Sequence, residues 1–170
     1  GRAADLTAAN NVLAHVPDIN DFAAGFATIL KPAGVSTFEF PHLLNLMALS
    51  QFDTIYHEHY SYLSLTAVKR VFEANGLSVF DVEEIPTHGG SLRVYAQRSD
   101  TGERDVTSAV TALLAREADA GVETKAYYAT LQADAERIAA ELNEFLIAAA
   151  REGRTLMGYG AAAKGNTLLN

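Results

Sequence analysis

Residues 6–40 read LTAANNVLAHVPDINDFAAGFATILKPAGVSTFEF, and three segments within them decide the fold. Leu6-Thr7-Ala8-Ala9 is a short apolar run with the character of a buried strand. Asp18 is a side chain suited to accept from the first free amides of a helix, and Phe22, Phe26, Ile29 and Leu30 then fall on one helical face that stops at Lys31-Pro32-Ala33-Gly34. Val35 to Phe40 makes a second strand, ended by Pro41. Strand, helix, strand with short links predicts a parallel sheet.

Downstream the pattern changes. A polar and aromatic segment runs from Gln51 to Ser64. Thr66 to Ala74 carries Val68, Val71 and Phe72 on one face and meets Gly76 after Asn75, which predicts a helix. Leu77 to Ile85 and Leu92 to Gln97 alternate apolar and polar residues around Pro86-Thr87-His88-Gly89-Gly90, which predicts an antiparallel pair. From about Asp105 the composition shifts to Ala, Glu, Lys and Leu. One stripe is Val106, Val110, Leu113 and Leu114; a second is Leu131, Ile138, Leu142, Phe145 and Leu146, with a break expected near Gly121. Thr155-Leu156-Met157 reads as a strand entering Gly158-Tyr159-Gly160-Ala161-Ala162-Ala163-Lys164-Gly165, with a helix expected to begin only at Asn170. The predicted class is α/β: a parallel sheet ending in an antiparallel hairpin, then a helical pair and the opening of a second α/β unit.

With 170 residues, 49% of them hydrophobic, the chain can bury a core without metal or disulfides. No apolar run approaches the length a bilayer requires, and the N-terminus has no basic region followed by an apolar core. A cytoplasmic location is the default expectation, and Cys 0 suits a reducing compartment. A net charge of −8 without a compensating Lys/Arg cluster disfavours nucleic acid as a partner and favours small-molecule chemistry. The sequence says nothing of oligomeric state.

Chemistry concentrates in Tyr56-His57-Glu58-His59-Tyr60-Ser61-Tyr62. Each phenol, imidazole and carboxylate needs a polar partner if buried, so such density is better explained by a functional loop than by packing. A metal reading competes, since an extended His57-Glu58-His59 would put both imidazoles on one side, but it lacks a third ligand at a recognised spacing. The stretch from Gly158 to Ala163 satisfies a loose dinucleotide pattern, yet only seven residues follow it. As a turn before a helix, with Lys164 adding charge, it could hold a phosphate; equally, its glycines could simply permit a tight turn.

Five ordered motifs carry a resemblance: Asn10 to Asp18, Phe38-Glu39-Phe40-Pro41-His42, Phe52 to His59, His88-Gly89-Gly90-Ser91-Leu92-Arg93, and Gly158 to Asn170. Together they resemble the nucleotide-sugar C-methyltransferases of deoxysugar biosynthesis. The resemblance implies S-adenosylmethionine as methyl donor and a nucleotide-linked keto-deoxysugar as substrate. It also implies that residues 1–98 are the second half of a class I methyltransferase domain, and that 99–170 are a helical linker and the beginning of a C-terminal sugar-nucleotide-binding domain. The glycine-rich cofactor loop of such domains and the zinc cysteines of their N-terminal partner have no counterpart here, so a fragment of such an enzyme is expected, with zinc only in the missing N-terminal domain. Two other readings stand beside it: a non-catalytic truncated fragment, and a nucleotide-binding oxidoreductase.

Methylating the carbon beside a ketone requires a base to form an enolate and a partner for its oxygen. By resemblance His59 takes the base position, and Tyr56 and Glu58 surround the sugar. His15 matches a further active-site histidine, although a lone histidine there could equally just pack. Asn10 and Asn11 are assigned to the cofactor, and His57, Tyr62, Gly90, Ser91, Gly160 and Lys164 to the substrate. In a regular strand His59 would face away from Tyr56 and Glu58, so an irregular segment is expected across Tyr56 to Tyr60.

Overall fold

The computed structural model describes residues 3–160 and 162–170. It is a mixed α/β structure built on a four-stranded sheet of order β1-β2-β4-β3. Strand β1 (Ala4–Asn10) pairs in parallel with β2 (Leu30–Pro41), joined by helix α1 (Ile19–Ile29). Asp18 starts α1 by accepting from the amides of Asn20 and Asp21. The helix ends one residue before Leu30, where the expected stop becomes part of a long strand. Ala4 opposes Leu30 and Leu6 opposes Val35, so Lys31-Pro32-Ala33-Gly34 bulges out of the ladder.

Helix α2 (Leu43–Ala48), to which the sequence reading gave no element, follows β2 directly. Helix α3 (Leu65–Ala74) begins where the Ser64 hydroxyl accepts from the Ala67 amide. Strands β3 (Leu77–Ile85) and β4 (Ser91–Arg98) form the expected antiparallel hairpin, and β4 lies between β3 and β2, antiparallel to both. The sheet alternation sorts its faces. Phe38 and Phe40 of β2 and Leu92, Val94 and Ala96 of β4 bury against α1 and α3, where Phe26, Phe38 and Phe72 rings meet at 4.5–4.8 Å. Burying one such side chain stabilises the fold by roughly 1.5–3 kcal/mol. On the other face Glu39 and Arg93 form an ion pair.

Helix α4 (Ser108–Ala120) packs Val110 and Leu113 into the same core and ends at Gly121, whose φ of 81° closes the helix in the left-handed region. Val106, expected in that stripe, precedes the helix and is exposed. Helix α5 (Leu131–Arg151) matches the second stripe, but only Ala149 is buried and Phe145 is 58% exposed. The expected strand at Thr155-Leu156-Met157 does not form: residues 154–160 are irregular, and Met157 and Tyr159 lie in solvent. Helix α6 (Ala162–Leu169) then occupies the place where a helix was expected to begin only at Asn170. Among the described residues no helix is long and apolar enough to cross a membrane.

Candidate active site

Because β1 and β2 are parallel, their carboxyl ends open at the same edge of the sheet, the usual place for a ligand crevice in α/β folds. Asn11 follows β1 there and Pro41 ends β2. Since β4 runs antiparallel to β2, with Ser91 opposite Pro41, the turn Thr87–Gly89 arrives at this edge as well. A small cleft lies between them, lined by Asn11, His15, Tyr56, His59, His88 and Lys164 over a floor of Ala14, Pro41 and Thr54.

The segment from Tyr56 to Tyr60 is irregular, as expected. It is tied down at both sides: the His59 amide donates to the Tyr56 carbonyl at 3.0 Å, and the Tyr60 amide donates to the Ala14 carbonyl at 2.8 Å. His59 Nδ1 lies 2.8 Å from the Thr54 carbonyl oxygen. A carbonyl only accepts, so Nδ1 carries the hydrogen and Nε2 is left as an unprotonated lone pair in the neutral ring. The His59 ring packs on Tyr56 at 4.3 Å with an interplanar angle of 34°, and His15 meets its edge at 4.6 Å. Tyr62 stands near-perpendicular to it at 6.2 Å, in an adjoining recess lined by Leu43, Leu46 and Leu63.

This packing sets the electrostatics. Burial lowers the His59 pKa; the Thr54 carbonyl opposes that, the His15 and Lys164 charges add to it, and Glu58 opposes it. Burial also raises the Tyr56 phenol, helped by Glu58 and Asp53, so it stays a neutral hydrogen-bond donor.

Other expected residues stand apart. His57 and Glu58 are 89% and 60% exposed and face each other at 4.0 Å outside the cleft, so Glu58 does not orient the His59 ring; the Thr54 carbonyl does. His57 is exposed, whereas His59 lines the cleft. Ser91 is fully buried, its hydroxyl donating to the Thr87 carbonyl at 2.9 Å, which makes it a brace for the turn rather than a cleft residue. Gly90, at φ 109°, packs against Asn45, and a β-carbon there would lie 2.3 Å from Nδ2. Gly90→Ala is therefore expected to destabilise the full-length protein by about 1–3 kcal/mol, read from the denaturant midpoint. Asn10 is exposed at the end of β1, beside Asn11. Gly160 lies in the irregular segment with open space around it, not after a strand, while Lys164 on α6 reaches the cleft. Ala161 of that glycine-rich stretch lies outside the described residues.

The sequence reading missed two features. His88 lines the cleft although only its neighbours Gly90 and Ser91 were assigned. Glu117, one of two acidic residues on α4, is fully buried with His42.

Residues 86–170 match the C-methyltransferase C-terminal domain and residues 1–82 a methyltransferase domain. The chain belongs to the C-methyltransferase family. It is 37% identical over 166 residues to the C-methyltransferase NovU of Streptomyces niveus, covering 98% of this chain and 39% of that protein's length. Partial likenesses to solved structures include magnesium protoporphyrin IX methyltransferase of Synechocystis PCC 6803 with bound SAH (18% identity, 58% of this chain, 47% of that one, TM-score 0.46). Another is the 1,6-didemethyltoxoflavin-N1-methyltransferase of Burkholderia thailandensis (18% identity, 59% and 46%, TM-score 0.45).

Proposed function

We propose that this chain belongs to an enzyme that transfers a methyl group from S-adenosylmethionine to a carbon of a nucleotide-linked keto-deoxysugar, with His59 as the base that forms the enolate. The observation that carries this reading is the Nδ1–H bond to the Thr54 carbonyl, because it leaves Nε2 free to take a proton at a fixed position. Membership of a family of carbon methyltransferases supplies the need for such a base, since carbon beside a ketone becomes nucleophilic only on losing a proton. The 37% likeness to NovU supports a carbon acceptor.

S-adenosylmethionine, when bound, supplies an electrophilic methyl on its sulfonium. The residues present suit one end of it: Asn11 and His15 border the cleft just beyond the carboxyl end of β1. In this reading His59 accepts the proton at Nε2 and Tyr56 keeps its face against the ring and offers its hydroxyl to the substrate. Tyr62 closes the neighbouring recess, Lys164 faces the substrate's negative charge, and Glu58 and His57 meet the sugar only at the outer rim. Residues 1–98 act as the second half of the methyltransferase domain and 99–170 as the linker and start of the sugar-nucleotide domain.

Incubating the full-length enzyme with S-adenosylmethionine and a thymidine-diphosphate 4-keto-6-deoxyhexose tests the reaction. A carbon-bound methyl in the product spectrum is expected; a methyl on oxygen or nitrogen would contradict it. The depressed His59 pKa adds a sign. A histidine whose pKa is lowered stays unprotonated to a more acidic pH, so the acidic limb of kcat/KM is expected below the ordinary imidazole value of 6.5. Lys164→Met removes a neighbouring positive charge and is expected to move that limb upward; a downward shift would contradict the assignment.

A further inference from the structure

The base of this site has a built support, but an enolate also needs a hydrogen-bond donor at its oxygen, and the cleft holds a candidate opposite the His59 loop. His88 stands at φ 54°, ψ 31°, a left-handed conformation that a β-carbon disfavours, and the next two residues, Gly89 and Gly90, also have positive φ. Among the described residues the non-glycine positions with positive φ are Asn11, Ser50 and His88, and both Asn11 and His88 line this cleft. Strain of that kind persists only where the surroundings hold it. Here they do: Gln51 Nε2 donates to the Gly89 carbonyl at 2.8 Å, the Gly90 amide and the Ser91 hydroxyl both donate to the Thr87 carbonyl at 2.9 Å, and the Thr87 hydroxyl donates to Glu39 at 3.1 Å. The imidazole on this held backbone is exposed, makes no hydrogen bond among the described residues, and lines the same cleft as His59. Tyr56, by contrast, lies on the same loop as the base and stacks on it.

We infer that His88 is a further catalytic residue, donating a ring N–H hydrogen bond to the ketone oxygen of the substrate as that oxygen becomes an enolate. This rests on the proposed enolate reading. His59 Nε2 takes the proton from the carbon beside the ketone, the C–H pair forms the carbon–carbon double bond, and the carbonyl π pair moves to the oxygen facing His88. His88 transfers no proton. Reversal returns a proton from His59 to the carbon, so in D2O the substrate exchanges hydrogen for deuterium with no other reactant.

That exchange is the test. The full-length enzyme and its His88→Gly and His59→Asn variants are incubated in D2O with a thymidine-diphosphate 4-keto-6-deoxyhexose and no methyl donor, and the loss of the α-proton signal is followed by NMR. His88→Gly relieves the backbone strain, so its Tm is expected to equal or exceed that of the wild type while exchange slows by roughly 10²–10³. His88→Asn, which tolerates the same backbone and retains an N–H donor, is expected to fall between the two. Wild-type exchange in His88→Gly, or a slowing matched by a fall in Tm, overturns the role of His88 while leaving that of His59 intact. Absence of exchange in the wild type overturns the enolate reading itself, and His88 with it.

Discussion

His59→Asn in the full-length enzyme is expected to lower kcat/KM for methyl transfer by roughly 10²–10⁴, the range that a positioned general base supplies. Asparagine keeps an N–H that can reach the Thr54 carbonyl and so leaves the loop from Phe52 to Tyr62 in place. It has no lone pair basic enough to accept a carbon-bound proton near neutrality. The loss should therefore appear in kcat, with KM for the sugar nucleotide changed only a few-fold, because Tyr56, Lys164 and the cleft floor remain. His59→Ala is expected to regain part of its activity when imidazole is added to the assay. Loss through KM alone, with kcat intact, would make His59 a binding residue instead.

The largest expected loss of stability comes from a residue remote from the cleft. Glu117 is fully buried, with Oε1 accepting from His42 Nε2 at 2.8 Å and the Leu65 amide at 2.7 Å, and Oε2 accepting from the Thr66 amide at 2.7 Å and its hydroxyl at 2.6 Å. One carboxylate on α4 thus satisfies the free first amides of α3 and fixes His42, which starts α2 next to Pro41 of the cleft floor. Removing it as Glu117→Ala strands the four donors it satisfies and is expected to cost about 3–5 kcal/mol, a large part of the 5–15 kcal/mol of a typical domain. Urea denaturation at pH 7 measures it. Burial alone pushes the Glu117 carboxyl up, but the bonds from His42, Thr66 and Leu65 more than offset this and hold it below the ordinary 4.5. A depressed folded pKa gives stability that is present above 4.5 and lost as pH falls below it. The gap between wild type and variant should therefore narrow between pH 5 and pH 3; a gap that is the same at both would show that the carboxylate charge contributes nothing.

The elements that depend on local pattern were legible. Asp18, the Phe22-Phe26 face, the alternation of β3 and β4 and the break at Gly121 each specify their own structure over a few residues. Thr155-Leu156-Met157 failed because strand-like composition makes a strand only where a neighbour supplies the ladder, and residues 154–160 have none. Glu117 failed for the opposite reason. Within α4 it reads as one more acid on an exposed face, and the partners that bury it lie 51 to 75 residues away.

The site shows the same division. The need for an irregular loop around His59 followed from the side-chain parity of Tyr56, Glu58 and His59, and the loop is there. Parity could not say that Glu58 would swing out to the rim, nor that a backbone carbonyl would orient the His59 ring. His88 carried a readable signal in the two glycines that follow it, which mark a turn of positive φ, but its place in the cleft depends on β4 inserting between β2 and β3.

Deuterium uptake at the carbon beside the substrate ketone, compared between wild-type enzyme and His59→Asn in D2O without methyl donor, tests the central claim most directly. Rapid uptake in the wild type and none above the buffer rate in the variant is the predicted result. Equal uptake in both would mean that the imidazole at position 59 does not remove that proton.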